Sequence, residues 1–286
     1  MKITAAEQSQ SGRDWLASLP ERTQAMSQKW GIQVELGEAE AGFNAIVRQA
    51  TRNGEPCVLK LDWPIDHAVR EARALEVWNG IGAVKLLESD PGNGALLLES
   101  LDASRSLKSI PVAEAAKVAG GLIKRLAVQS PSGFRSLRDL AAELEVSLPL
   151  RQSQLSNPIP PEWLSWASDR VRKLGTGAGD RLVHGDLHYD NVLAGTREPW
   201  LAIDPKPIIG DPEYAVPELM WTRADELSDE SDIQDLLSII VTAGDLRDDL
   251  ARGWTVVRCV DYWLWGLENG LTEDPKRCER ILQALT

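Results

Sequence analysis

Apolar residues recur at helical spacing at Trp15, Leu19, Met26 and Trp30, and Gly31 stops the pattern. The pattern then changes to strands: Ile32–Leu36, Ile46–Ala50 and Cys57–Leu61, with Asn53-Gly54 as a hairpin turn between the last two. Asp66 is placed to cap a helix reaching Trp78, with Ala68, Ala72, Leu75 and Trp78 as its apolar stripe and Glu71 at the stripe's edge. Two further strands, Val84–Glu88 and Ala95–Glu99, bracket a Pro91-Gly92-Asn93-Gly94 turn. A five-stranded antiparallel sheet with one inserted helix is expected.

After about Leu101 the pattern becomes mainly helical, with helices predicted over Val112–Val128, Leu137–Leu148 and Pro161–Leu174 and a polar loop over Gln152–Pro161. The expected architecture is α+β and bilobal. Residues 1–100 form a small antiparallel β-sheet lobe with one helix, after the N-terminal helix. Residues 101–286 form a larger, mainly helical lobe. A hinge is expected near Glu99–Ser104, which makes Glu99 a candidate nucleotide contact.

Composition narrows the classes of partner. A formal charge of −12 disfavours nucleic acid and anionic membranes and attracts cationic small molecules. Three cysteines without CxxC spacing argue against a disulfide framework or a structural zinc site. The polar stretch Met1–Trp30 lacks a signal-peptide core, and no apolar run can span a bilayer, so a cytoplasmic location is expected. The expected assembly is a monomer or a dimer.

The chemistry lies in Leu182-Val183-His184-Gly185-Asp186-Leu187-His188-Tyr189-Asp190-Asn191, followed by Trp200-Leu201-Ala202-Ile203-Asp204. A lone Asp or Asn in a loop is ordinarily a cap. Here Asp186, Asn191 and Asp204 arrive in the order that phosphoryl transfer needs: a carboxylate that orients and deprotonates a hydroxyl, then two oxygen ligands for Mg²⁺. Asn191–Ala194 and Trp200–Ile203 read as a hairpin able to bring Asn191 and Asp204 to one metal. A two-metal phosphoesterase is the competing reading of Gly185-Asp186-Leu187-His188. It needs more histidines downstream, and the chain has only His67, His184 and His188.

Lys60 ends an apolar strand, as a phosphate-binding lysine should, and Glu71 is its candidate ion-pair partner with Glu76 as the alternative. Gly37 and Gly42 flank Glu38-Ala39-Glu40-Ala41, which is not a GxGxxG loop. Phe43 and Asn44 are left to offer backbone N–H groups or a polar tip to the nucleotide.

With these residues assembled, the chain resembles the aminoglycoside phosphotransferases, and more closely their streptomycin 6-phosphotransferase and hydroxyurea phosphotransferase branch. The likeness is carried by His184-Gly185-Asp186-Leu187-His188-x-x-Asn191, Ile203-Asp204-Pro205-Lys206-Pro207, Gly210-Asp211-Pro212, and Arg258 through Asp261 to Trp265–Gly270. It covers about Val34 to Gly270. It implies a protein-kinase-like fold, ATP (or GTP) as phosphoryl donor and Mg²⁺ as cofactor. Asp186 matches the catalytic base, Asn191 and Asp204 the metal ligands, and Lys60 the nucleotide lysine. His184 is expected to brace the loop and His188 to support it. Pro205-Lys206 replaces Phe-Gly and no Ala-Pro-Glu segment follows, which argues against a protein substrate.

For the acceptor, the predicted helix Trp254–Asn269 carries Val257, Val260, Leu264 and Leu267 on one side. Trp254, Arg258, Asp261, Trp265 and Glu268 lie about a quarter-turn away. Tryptophan mixed with carboxylates suits a cationic or sugar-like ligand; an Arg258–Asp261 or Arg258–Asp211 pair on a half-buried helix is the plainer alternative. Asp211, Glu213 and Glu218 are placed to add negative charge nearby. Candidate acceptor residues are therefore Asp211, Asp261, Trp265 and Glu268. The expected activity is ATP-dependent phosphorylation of a small-molecule hydroxyl, with an aminoglycoside of the streptomycin type foremost. A metabolic kinase of an amino sugar or another small hydroxylated compound such as hydroxyurea stands second, and a nucleotide-binding pseudokinase third.

Overall fold

Ser9 starts the first helix by accepting the Gly12 N–H at 3.0 Å, in a computed structural model that describes residues 9–35, 40–41 and 45–286. This helix, α1 (Gln10–Trp30), therefore begins five residues before the first apolar repeat, and Gly31 ends it in the left-handed region at φ 62°. The strands that follow are β1 (Ile32–Val34), β2 (Glu40–Ala41), β3 (Ala45–Arg52) and β4 (Glu55–Asp62). Helix α2 (Ile65–Trp78) precedes β5 (Leu86–Asp90) and β6 (Ala95–Glu99). The sheet order is β1-β3-β4-β6-β5 with β2 beside β3, so six strands stand where five were expected. The described pairings are antiparallel.

Two local expectations change. Helix α2 opens on Pro64 with no side-chain cap, so Asp66 lies inside the first turn, where its charge favours the helix N-terminus without capping it. The strand expected at Val84–Glu88 begins at Leu86, because the Val84 N–H bonds the Ala202 carbonyl at 2.8 Å instead. One sheet face packs Leu59, Leu61, Ile46 and Leu97 against Trp15, Leu19 and Met26 of α1.

The chain divides into two units, Met1–Ala103 with Ala194–Lys206, and Ser104–Leu193 with Pro207–Thr286. A single cut between residues 100 and 101 was expected; instead the segment that carries Asp204 belongs with the sheet.

The second unit is mainly helical. It contains α3 (Val112–Leu126), β7 (Arg135–Ser136), α4 (Leu137–Gln154), α5 (Pro161–Gly177) and β8 (Arg181–Val183). Further along come β9 (Ile208–Gly210), α6 (Val216–Trp221), α7 (Glu230–Gly244), α8 (Asp248–Glu268) and α9 (Glu273–Leu285). Strand β9 lies between β7, to which it is parallel, and β8, to which it is antiparallel. Gly210 is needed here, because a Cβ would meet the Leu137 side chain at 2.2 Å. Helix α4 passes through Pro149 and continues six residues beyond the predicted stop. Tertiary contacts carry it: Gln152 bonds both backbone groups of Ile159, and Arg151 is held by acids of α8. Among the described residues no helix is long and apolar enough to cross a membrane.

Candidate active site

Strand alternation places Lys60. Along β4, Cys57, Leu59 and Leu61 enter the α1-side core, so Lys60 and Asp62 point to the opposite face. There α2 presents Ala68, Glu71, Ala72 and Leu75, spaced to form one buried stripe. The Lys60 Nζ donates to Glu71 Oε2 at 2.5 Å and to Asp204 Oδ1 at 2.6 Å, and lies 3.6 Å from Asp62 Oδ1. Lys60, Asp62 and Glu71 are all buried, whereas the Asp204 side chain is 49% exposed. Glu71 is therefore the partner, and the alternative Glu76 is not in the cluster.

Three carboxylates share one ammonium. Burial works against the charge on Lys60, yet Asp204, Glu71 and Asp62 outweigh it and hold its pKa well above the ordinary lysine value. Burial pushes Asp62 up to about 6 against the pull of Lys60. Glu71 is likewise raised, by burial first and by the neighbouring Asp62 and Asp204, against the pull of Lys60.

Asp204 reaches Lys60 because its segment is fastened to the sheet unit. The strand Trp200–Ala202 exchanges hydrogen bonds with the chain after α2: Val84 N–H to Ala202 O at 2.8 Å, and Ala202 N–H to Gly82 O at 3.0 Å. Arg197 adds a clip, donating to Glu99 Oε1 at 2.6 Å, Gly80 O at 2.5 Å and Ala83 O at 3.1 Å. The Glu99 carboxylate, expected to meet nucleotide, is occupied by Arg197 and by the Lys85 N–H at 2.7 Å. Asp204 itself has φ 54°, a left-handed conformation that aspartate tolerates better than most residues. Asn44, together with Gly37, Gly42 and Phe43, lies outside the described residues.

The second unit builds the other motif. Strand β8 delivers Leu182 and Val183 to the core, and Gly185 turns the chain at φ 75°. The loop closes on one carbonyl: Asp186 O accepts the His188 N–H at 3.2 Å and the Asn191 Nδ2 at 2.9 Å. Because Nδ2 is committed there, Oδ1 is the atom that Asn191 can turn to a metal. The buried His184 accepts the Asp186 N–H at Nδ1, at 3.4 Å, a contact suited to bracing. His188 Nδ1 lies 3.9 Å from Asp190 Oδ2. Tyr189 is buried beneath the loop with the Arg223 guanidinium 5.2 Å over its ring.

The acceptor candidates are placed differently from expectation. Asp211 is buried and both its oxygens are engaged, Oδ1 by the Gly179 N–H at 2.8 Å and Oδ2 by Trp254 Nε1 at 3.1 Å. Through Trp254 it braces α8. Asp211→Ala is expected to destabilise the fold by about 2 kcal/mol, because the buried Trp254 Nε1–H is left without its charged partner and the Gly179 N–H loses its own. Denaturant unfolding measures this, and a loss under 1 kcal/mol would contradict the bracing role. Glu213, also buried, accepts the Arg247 N–H at 2.9 Å.

Asp261 is clamped by Arg151 at 2.6 Å and by Arg258 at 2.8 Å, and Glu268 is held by Arg151 at 2.7 Å. Arg258 also meets Glu218 at 3.3 Å and lies over the Tyr214 and Trp221 rings. Burial opposes its charge, but Tyr214, Asp261, Glu218 and Asp186 together raise its pKa. The acidic stripe is thus largely neutralised, as the plainer sequence alternative allowed. Trp265 differs: it is 40% exposed and ends a stack of rings, 5.2 Å from Tyr262, which is 4.6 Å from Trp221. Arg151 and Asp62 escaped the sequence reading, since nothing local marks a partner distant in the chain.

A family model described as aminoglycoside/hydroxyurea antibiotic resistance kinase matches residues 29–270. A streptomycin 6-kinase of Streptomyces glaucescens is 35% identical, covering 96% of this chain and 92% of that protein. A hydroxyurea phosphotransferase of Kitasatospora aureofaciens is 38% identical, covering 96% of this chain and 81% of that protein. Among solved structures, an aminoglycoside phosphotransferase in ternary complex with ADP and hygromycin B has a TM-score of 0.62 at 14% identity. That match covers 91% of this chain and 97% of that one. A choline kinase of Streptococcus pneumoniae has a TM-score of 0.58 at 13% identity, covering 93% and 99%. These two likenesses show the fold, which is α+β and protein-kinase-like. The matched span and the identity across nearly the whole chain place it further: it belongs to the aminoglycoside/hydroxyurea antibiotic resistance kinase family.

Proposed function

We propose that the protein is an ATP-dependent O-phosphotransferase whose acceptor is a hydroxyl of a streptomycin-type aminoglycoside. The observation that carries the phosphotransferase reading is the cluster of Lys60 with Glu71 and Asp204, at 2.5 and 2.6 Å. A buried carboxylate fixes the lysine from behind, and a half-exposed one stands where a metal–nucleotide complex can compete for it. The streptomycin 6-kinase relative supports the acceptor class.

In this reading Asp186 orients the acceptor hydroxyl and takes its proton as the phosphoryl group is transferred. Lys60 neutralises phosphate charge, and Glu71 holds its ammonium. Asn191 Oδ1 and the Asp204 carboxylate would hold Mg²⁺, hard oxygen donors for a hard ion that keeps waters and substrate phosphates in its shell. Bound there, the ion would neutralise the phosphate oxygens.

Trp265 is the member of the α8 stripe best placed to meet an acceptor, since it is exposed and the carboxylates around it are already paired. Trp265→Ala is expected to raise the acceptor KM about fivefold with the ATP KM unchanged; the reverse pattern would remove it from the acceptor site.

The neutralised stripe also supports a second reading, a small uncharged acceptor such as hydroxyurea, the substrate named for the other relative. A coupled ATP-turnover screen across aminoglycosides, amino sugars and hydroxyurea, with acceptor-independent turnover subtracted, decides between them. Turnover with streptomycin supports the first reading and turnover with hydroxyurea alone supports the second. Nucleotide binding without transfer to any acceptor would indicate a pseudokinase.

A further inference from the structure

Asp62 is the member of the Lys60 cluster to which neither the motif nor the family likeness gives a task. It is 2% exposed, its Oδ1 lies 3.6 Å from Lys60 Nζ, and its Oδ2 has no hydrogen-bond partner. A buried carboxylate oxygen without a partner costs stability, so the fold gains nothing from keeping it for itself. Its backbone is also pinned. The Asp62 N–H bonds Gly94 O at 2.8 Å, and Gly94, at φ 68°, approaches so closely that a Cβ there would lie 2.8 Å from Asp62 O.

We propose that Asp62 is a positioning residue for the nucleotide lysine, holding the Lys60 ammonium in place when Asp204 leaves it for the metal–nucleotide complex. This rests on the nucleotide role given to Lys60 above. An ammonium has three N–H donors, and Glu71 and Asp204 take two of them. The partners differ in accessibility: the Glu71 and Asp62 side chains are 2% and 3% exposed, whereas that of Asp204 is 49% exposed. Asp204 is therefore the partner that can exchange, and the two buried carboxylates are those that cannot follow. With Glu71 alone the ammonium would be restrained from one side only. Asp62, on the same strand face two residues on, supplies a second restraint and keeps the third donor directed to phosphate.

The test uses the full-length protein and Mg²⁺ with ADP, so it needs no acceptor. Asp62→Asn is expected to raise the nucleotide Kd about tenfold in calorimetric titration, while the thermal midpoint stays level or rises. In a Lys60→Ala background the same substitution is expected to change the Kd by less than about twofold, because the residue acts only through the lysine. A merely structural Asp62 would show the same effect in both backgrounds, which overturns the proposal. An unchanged Kd for Asp62→Asn beside a weakened Lys60→Ala overturns it too. An unchanged Kd for Lys60→Ala itself instead refutes the nucleotide role of the lysine. Should Asp62→Asn not fold, Asp62→Ser is read in the same way; failure of both to fold makes the residue structural and overturns the proposal.

Discussion

Asp186→Ala is expected to lower turnover by about a thousandfold, while the nucleotide Kd stays within about twofold of the parent value. The expectation follows from how the loop is built. Its closing hydrogen bonds run to the Asp186 carbonyl, from the His188 N–H and the Asn191 side chain, so removing the carboxylate leaves them in place. The backbone N–H that meets His184 is likewise retained. What disappears is the group proposed to take the acceptor's proton. Asp186→Asn, which keeps the size and polarity but accepts no proton at neutral pH, is expected to be as impaired as the alanine variant. Steady-state rates with the acceptor found by screening, together with ADP titration, measure both quantities. Full activity in either variant would remove Asp186 from the chemistry. A parallel loss of nucleotide affinity would show that the loop had collapsed.

The second large effect concerns Asp204. Asparagine is the informative replacement, because position 204 sits at φ 54° and asparagine accepts that conformation nearly as well as aspartate, whereas alanine adds strain. Asp204→Asn removes one negative charge from the Lys60 cluster but leaves the ammonium its two buried carboxylates. The sheet unit is therefore expected to keep its thermal midpoint within a few degrees. Turnover is expected to fall about a thousandfold, the consequence of losing several kcal/mol of charge stabilisation from a poorly held ion. The Mg²⁺ concentration giving half-maximal rate is expected to rise with it. A magnesium titration coinciding with that of the parent protein would exclude Asp204 as a ligand.

The motif and the sheet were readable in the chain for physical reasons. Phosphoryl transfer constrains residue type and order, so Asp186, Asn191 and Asp204 stand out. Strand and helix periodicities constrain facing, which is why Lys60 and Glu71 were paired correctly across eleven positions. The acceptor side was less legible because its outcome depends on partners far away in sequence. Asp211 sits between a glycine and a proline, and only Trp254, forty-three residues later, turns it into a buried brace. Asp261 and Glu268 form an acidic stripe on their own helix; Arg151, more than a hundred residues earlier, neutralises it. That arginine lies beyond Pro149, where propensity alone ends the helix. The strand expected at Val84 moved for a similar reason, since the Ala202 carbonyl claims its N–H, while the cap expected at Asp66 failed because the helix already opens on Pro64.

The return of Ala194–Lys206 to the sheet unit has a consequence for anyone cutting or recombining this protein. A fragment ending at residue 103 would contain the sheet and the lysine yet be an incomplete folding unit. Gly82 and Val84 would lose the backbone partners that Ala202 supplies, and Glu99 would lose Arg197. Chimaeras between relatives should therefore exchange the two stretches together, because a crossover between them joins the Lys60 strand of one ancestor to the Asp204 segment of another.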